Sequence, residues 1–288
     1  MSKQKNIAII FAGGTGQRFG SEIPKQFVNI YGKQIIVHTL EAFQNHPEID
    51  EIYIGCISDW IPYLEKLIDY YGISKVPKDG IVSGGESGQD TIYKILCKAR
   101  EYSKDEDIVL IHDGVRPIVT SEEISANIES VKKYGSGITC IPFSETPVFS
   151  ESGQFIDKTL DRKQMFRGVA PQSFRLKHIL DAHLKIREND PGYSGIYNGG
   201  TIVDSASLVK AAFDENCAIV EGNPNNMKVT NMGDFFALLG ILQSNDIANY
   251  FIGQKANSFP LNSAMLYSQQ KEEKLTGKRK LGDENNDY

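Results

Sequence analysis

The chain of 288 residues contains no run of about 18 apolar residues, the least that lets a helix cross a bilayer. Its first apolar stretch, Ile7 to Phe11, is too short for the apolar core of a secretory leader, so a cytoplasmic protein is expected. Cysteine is sparse. The four present (Cys56, Cys97, Cys140, Cys217) form no CxxC pair and no Cys/His group at zinc spacing. They read as free, mostly buried thiols in a reducing compartment. Cations are in deficit, 31 Lys and Arg against 37 Asp and Glu, for a net charge of −6. A non-specific nucleic-acid binder needs a cation surplus to displace phosphate counterions, so that class is excluded. A basic pocket for one small anion is not. With 40% hydrophobic and 24% charged residues the chain is not wholly disordered.

What is present is an alternation. Ile7–Phe11, Ile52–Ile57, Ile108–His112 and Gly137–Ile141 are short runs rich in Ile and Val, bounded by Gly, Asp or Pro. Between them Ile35–Gln44, Trp60–Tyr71, Asp90–Tyr102 and Ser121–Tyr134 repeat apolar residues at helical spacing. The last has an acidic first turn, Glu122 and Glu123, capped by Ser121. Strands separated by helices of this length predict βαβ units, hence an α/β fold with a doubly wound, mostly parallel sheet. From Pro142 to Arg162 the pattern breaks. Thr146–Phe149 and Gln154–Ile156 flank Glu151-Ser152-Gly153 and predict an inserted β-hairpin arm, a lid or an element exchanged with a partner subunit. Helices over Leu176–Arg187, Ser205–Phe213 and Met232–Leu242 and a strand over Ala218–Glu221 follow. The charged tail from Gln269 to Tyr288 is expected to be disordered.

Three segments carry chemistry. The first is the glycine-rich turn after the first strand: Phe11, Ala12, Gly13, Gly14, Thr15, Gly16, then Arg18, and beyond it Pro24-Lys25-Gln26. Open α/β sheets bind ligands at the carboxyl ends of their strands, and glycines let backbone amides converge on phosphate oxygens. A purely structural turn is the alternative. The spacing departs by one residue from GxGxxG, and no Gly-Lys-Ser/Thr follows. Arg18 and Lys25 supply two charges that reach a triphosphate, where dinucleotide loops lean on the helix dipole. The second is His112-Asp113-Gly114-Val115-Arg116-Pro117 at the end of a buried strand. Asp113 beside phosphates points to a divalent metal, magnesium, although taken alone it is as readily a turn former. Arg116 is placed to hold it by a bidentate pair, and His112 reads as a packed histidine. The third is a second glycine loop opening a helix, with Gly85, Glu86, Gly88 and Thr91; its amides and the Thr91 hydroxyl are candidates to read a base edge or ribose.

These motifs occur together. AGGTGQRFG followed by PKQF, GGESGQDTI, HDGVRP, APQSF and VEGNPNNMKVT stand in the order found in the cytidylyltransferases that make CDP-alcohols. The chain resembles that family from about Asn6 to Leu242, nearer its polyol-phosphate branch than its methylerythritol-phosphate branch. The resemblance implies a Rossmann-like nucleotidyltransferase domain over 1–242, its arm at about 142–160, with a C-terminal extension over 243–288. It implies CTP and a polyol phosphate as substrates, a CDP-alcohol and pyrophosphate as products, Mg2+ at Asp113, and a role in capsule or teichoic-acid type polymer synthesis. The 2-C-methyl-D-erythritol 4-phosphate enzyme of isoprenoid synthesis is the alternative. By similarity Ala12, Gly13 and Gly14 wrap the triphosphate, Arg18 and Lys25 stabilise charge at the α-phosphate, and Arg162 and Lys228 hold the acceptor's phosphate. The hairpin implies a homodimer.

Three positions depart from the family's wording. Gly88 stands in place of an arginine, Ala170 in place of the threonine of Thr-Pro-Gln, and Val203 in place of a threonine before Asp204. They suggest an acceptor other than ribitol or methylerythritol phosphate, a shorter or isomeric polyol phosphate. Two rival readings fit less well. An NAD(P) oxidoreductase needs an acidic ribose ligand after the second strand, whereas Glu41 lies within a helix. A non-catalytic nucleotide-binding protein has no need of Arg18, Lys25, Asp113, Arg162 and Lys228 together.

Overall fold

The computed structural model describes residues 3–14, 23–197 and 200–250; Thr15, Gly16 and Arg18 of the first loop and the tail from Gln269 lie outside them. Seven strands form the central sheet: β1 (Asn6–Ala12), β2 (Glu51–Cys56), β3 (Ile81–Ser83), β4 (Ile108–Asp113), β5 (Ser136–Pro142), β6 (Phe166–Arg175) and β7 (Ile219–Glu221). Their order is β7-β5-β6-β4-β1-β2-β3. Every neighbouring pair is parallel except β6, which runs antiparallel to both β4 and β5. The predicted mostly parallel α/β sheet is therefore present, with two strands the sequence reading missed, β3 and β6.

Side chains of successive strand residues point to opposite faces, so the buried strands feed two cores. Ala8, Ile10, Ile52, Ile54, Ile108 and Leu110 pack on one face beneath α1 (Ile35–Gln44), α2 (Ile61–Tyr71) and α4 (Ser121–Tyr134). Ile7, Ile9, Tyr53, Val109, Ile111 and Phe174 pack on the other beneath α3 (Gly88–Arg100), α5 (Leu176–Arg187) and α6 (Ser205–Phe213). A third cluster joins Ile30, Ile35 and Val115 to Val229 and Leu238, the last on α7 (Met232–Tyr250). α7 continues past Leu242, so the expected boundary at 242/243 falls inside a helix.

Two local expectations are corrected. α4 is capped by Thr120, not Ser121: the Thr120 hydroxyl accepts from Glu123 N at 3.2 Å and the Glu123 carboxylate accepts from Thr120 N at 2.9 Å, a complete capping box. In the arm, Val148–Phe149 pairs with Lys158–Thr159, not with Gln154–Ile156. Phe155 and Ile156 are left in the connecting loop, 74% and 67% exposed. All four cysteines are free, Cys56 and Cys140 buried and Cys97 and Cys217 partly so. No helix among the described residues is long and apolar enough to cross a membrane.

Candidate active site

β1 pairs with β2 on one side and β4 on the other, so the chain's path reverses there; a crevice opens at such a switch point, outside the strands' carboxyl ends. Phe11 lies opposite Asp113 in the β1–β4 register. The crevice has two adjoining halves. One, about 680 Å³, is lined by Ala12, Gly13, Gly14, Lys25, Gly85, Glu86, Thr91 and Thr230. The other, about 450 Å³, is lined by Gln89, Gly168, Ala170, Tyr193, Val203 and Asp204. Phe11, Ser87, Gly88, Asp113 and Lys228 line both.

At the seam an ion triad is assembled. Lys228 Nζ lies 2.5 Å from Asp113 Oδ1, and Arg116 Nε donates to Asp113 Oδ2 at 2.8 Å. Burial pushes the Asp113 carboxyl up, but the charges of Lys228 and Arg116 outweigh it and hold it below the usual carboxylate range. The expected bidentate Arg116–Asp113 pair is single, because the other arm of the guanidinium reaches away: Nη1 donates to Asn226 O at 2.9 Å. That bond ties the loop carrying Lys228 back to β4. His112 is the packed histidine expected. It is fully buried, edge-on to Phe43 at 5.1 Å and bonded to Arg116 O, and burial lowers its pKa to about 4.

Lys25 reaches the crevice from a short helical turn, Lys25–Phe27. The turn is held from below. Phe27 is fully buried, stacked on Trp60 at 4.9 Å and met edge-on by Tyr63 at 5.5 Å, a burial contributing about 1.5–3 kcal/mol. Gln26, buried beside it, donates from Nε2 to Ala12 O at 2.8 Å and to Gly14 O at 3.2 Å. One amide thus shapes the glycine loop. Gly14 itself faces open space, while a Cβ on Gly13 would come within 3.0 Å of Thr91 Oγ1.

The second loop is braced from within. Thr91 Oγ1 accepts from Gly85 N at 2.9 Å and donates to Ser87 O at 2.9 Å; Glu86 N donates to Asp90 Oδ2 at 3.1 Å. The Thr91 hydroxyl and these two amides hold the loop's shape, and Gly85, Glu86 and Thr91 all line the larger half of the crevice. Gly114, expected beside the nucleotide, lines neither half. Its N–H donates to Phe11 O at 3.0 Å, its carbonyl accepts from Thr39 Oγ1, and a Cβ there would stand 2.9 Å from that of Ala12. It is a packing glycine.

Of the four expected cationic residues, the fold brings Lys25 and Lys228 to the crevice. Arg18 lies outside the described residues. Arg162 is not brought in: it sits exposed at the base of the arm, Nη1 donating to Ser144 O at 3.3 Å, and lines neither half. Gly88, Ala170 and Val203, the three departures, all line the smaller half. Gln26 and Tyr193 were missed by sequence reasoning. Gln26 stood within the quoted PKQF; nothing in the sequence marks Tyr193.

A crevice at the switch point of a doubly wound sheet, with a glycine loop along one half and a carboxylate held between two cations at its seam, fits a nucleotide-binding α/β transferase. Residues 6–244 match the family model described as IspD, 2-C-methyl-D-erythritol 4-phosphate cytidylyltransferase, and the chain belongs to this cytidylyltransferase family. It is 41% identical over 232 residues to a ribitol-5-phosphate cytidylyltransferase of Streptococcus agalactiae serotype V, spanning 80% of this chain and 92% of that protein. It is 37% identical over 231 residues to a 2-C-methyl-D-erythritol 4-phosphate cytidylyltransferase of Clostridium botulinum, spanning 80% and 94%. A crystal structure of 4-diphosphocytidyl-2C-methyl-D-erythritol synthase superposes with a TM-score of 0.66 at 25% identity, covering 84% of this chain and all of that one.

Proposed function

We propose that the chain condenses CTP with a polyol phosphate to give a CDP-polyol and pyrophosphate. The observation that carries this reading is the seam: Lys228 and Asp113 line both halves of one crevice, where two anions must meet. The larger half takes the triphosphate along the backbone of Ala12–Gly14, with Lys25, and by the family likeness Arg18, facing the phosphates. The smaller half takes the polyol phosphate, and Lys228 stands at the junction. An oxygen of the acceptor's phosphate attacks the α-phosphorus of CTP. A new P–O–P linkage forms as the bond to the β-phosphate oxygen breaks, and pyrophosphate leaves with its electron pair. Such in-line transfer asks the protein for position and positive charge, which the lysines supply.

Magnesium fits the donor set. Among the described residues no three of His, Cys, Asp and Glu gather at one point, and the acid lining both halves is Asp113, whose oxygens meet Lys228 and Arg116. That suits an ion that fills its octahedron with phosphate oxygens and water. When bound, it would neutralise phosphate charge.

Arg162 completes the acceptor clamp from the arm of a second subunit. The arm's exposed Val148, Phe149, Phe155 and Ile156 support a homodimer in which that arm is covered. Four unpaired thiols accord with a cytoplasmic enzyme, and the polyol-phosphate relative with supply of a cell-surface polymer.

Pyrophosphate release from CTP and magnesium across a panel of alcohol phosphates tests the reading. Turnover with polyol phosphates in preference to 2-C-methyl-D-erythritol 4-phosphate is expected; the reverse preference would assign the isoprenoid reaction. Because Gly88, Ala170 and Val203 line the acceptor half, a shorter or isomeric polyol phosphate is expected to outrun ribitol 5-phosphate. A clear preference for ribitol 5-phosphate would show these replacements to be neutral.

A further inference from the structure

Behind the crevice, on the α3/α5 side of the sheet, one guanidinium touches the supports of both halves. Arg187, in the last turn of α5, donates from Nη1 to Asp90 Oδ1 at 2.8 Å and to Pro191 O at 3.1 Å. Its Cζ lies 4.2 Å from the centroid of Tyr93 and 5.6 Å from that of Tyr193. Only a quarter of the side chain is exposed.

Asp90 stands behind the loop that lines the nucleotide half. Its Oδ2 accepts from Glu86 N, and the loop packs so closely on it that a Cβ at Gly85 would fall 2.1 Å from Oδ2. Lys94 Nζ, 3.3 Å from the same oxygen, adds a half-exposed second cation. Tyr193 faces the acceptor half and forms part of its wall. Its φ of 59° lies in the left-handed region, which a bulky side chain occupies only where its surroundings hold it. Three contacts do so: the Tyr193 hydroxyl meets the buried His183 Nδ1 at 2.7 Å, its N–H donates to Asp190 O, and the ring flanks Arg187. Asp190 in turn braces the same turn, accepting from Gly195 N at 2.6 Å and from the Tyr197 hydroxyl at 3.0 Å.

We propose that Arg187 is a positioning residue shared by the two substrates, fixing the nucleotide loop through Asp90 and the acceptor wall through Pro191 and Tyr193. The proposal rests on the assignment of the two halves made above. Arg187 itself lines neither half. Its charge serves the Asp90 side, where an ammonium can substitute. Its flat, weakly hydrated fork serves the Tyr193 side, where an ammonium cannot, because it lacks the plane that packs between two rings while still donating to a carbonyl.

The two functions separate in steady-state kinetics of the full chain with CTP, magnesium and the best polyol phosphate from the panel. Arg187→Met is expected to raise KM for both substrates at least about tenfold, with kcat within about threefold of wild type, because the reacting groups themselves are untouched. Arg187→Lys is expected to return KM for CTP to within about threefold of wild type and to leave the acceptor KM elevated. Asp90→Asn should raise mainly the CTP KM. A role limited to stability would lower the melting temperature of these variants and leave both KM values alone, and that result overturns the proposal. So does an Arg187→Lys variant in which the two KM values rise together or not at all, which decides the matter even if Arg187→Met fails to fold. Lack of any turnover by the wild type would sink the functional reading only; calorimetric binding of CTP and of ribitol 5-phosphate to the same variants would then replace the KM values.

Discussion

Lys228 and Lys25 stand on opposite sides of the same chemistry, and the fold predicts different losses for each. Lys228 Nζ is paired to Asp113 and lies 5.7 Å from the Phe11 ring, at the seam of the two halves. Lys25 lines the nucleotide half alone. Lys228→Ala and Lys25→Ala are each expected to reduce kcat/KM by about 10²–10³, the scale of removing one charge-stabilising donor. CTP binding by calorimetry should weaken mainly in Lys25→Ala; equal weakening in both would contradict the division of the crevice. A second residue-scale expectation concerns pH. Burial lowers His112 to about 4 and His183 to about 3, whereas both titrate near 6.5 when unfolded. Between these values the unfolded chain binds more protons, so stability present above pH 6.5 is lost as pH falls toward 4. Urea unfolding at pH 7 and pH 5 should differ by roughly 3 kcal/mol, pH 7 being the more stable; no difference, or the opposite sign, would mean the two rings are not neutral and enclosed. Some of this was legible beforehand. His112 read as a packed residue because it closes an apolar strand run. His183 and Tyr193, brought together only by the turn after α5, carried no signal.

At the scale of elements, α4 does more than cover the sheet. Its Glu123, 4% exposed, closes the capping box with one oxygen; the other accepts from Asn223 N at 2.8 Å and Asn226 Nδ2 at 3.2 Å. Asn226 Nδ2 also donates to Ala170 O at 2.8 Å, and Asn226 O accepts from Arg116. The N-terminus of one helix therefore registers the loop that carries Lys228 against the acceptor wall. Glu123→Ala removes an acceptor from Thr120 N and Asn223 N, both partly buried, and from the buried Asn226 Nδ2, so a stability loss of about 2–4 kcal/mol is expected by urea unfolding. The acceptor KM should rise more than the CTP KM, and a rise confined to CTP would refute this placement. The capping residues were visible in the sequence, one position out. The anchoring role was not, since Glu123 and Asn226 meet only through tertiary packing. Strands β1, β2, β4 and β5 were readable because they are apolar on both faces. β6 was not: Pro171 and the polar Gln172 and Ser173 interrupt it, and a proline argues against an internal strand. The structure admits it where the β5–β6 register shifts between Gly168 and Gln172, so the missing N–H interrupts no regular ladder. The arm misled in the other direction, since Phe155 and Ile156 have strand composition but lie unpaired in its loop.

At the scale of the whole molecule, Arg162 stands apart from the other cations. Within one chain it hangs at the base of the arm and lines neither half of the crevice. A polyol phosphate facing a triphosphate still needs cationic charge on its own side, and Lys228 is already paired with Asp113. If the arm crosses to a second subunit, each complete site contains Lys228 of one chain and Arg162 of the other. Two inactive variants, Lys228→Ala and Arg162→Ala, then repair each other when mixed. The subunit with an intact Lys228 receives the intact arm, whereas its partner's site lacks both cations. Random pairing of equal amounts makes half the dimers mixed, each with one working site in two, so about one quarter of wild-type activity should return. An Arg162 that acts on its own chain's site gives a different result, since every site in the mixed dimer then lacks one cation and the mixture stays as inactive as its components. Unfolding and refolding the mixture before assay ensures exchange, and equilibrium sedimentation of each variant checks that the dimer itself has survived the substitution.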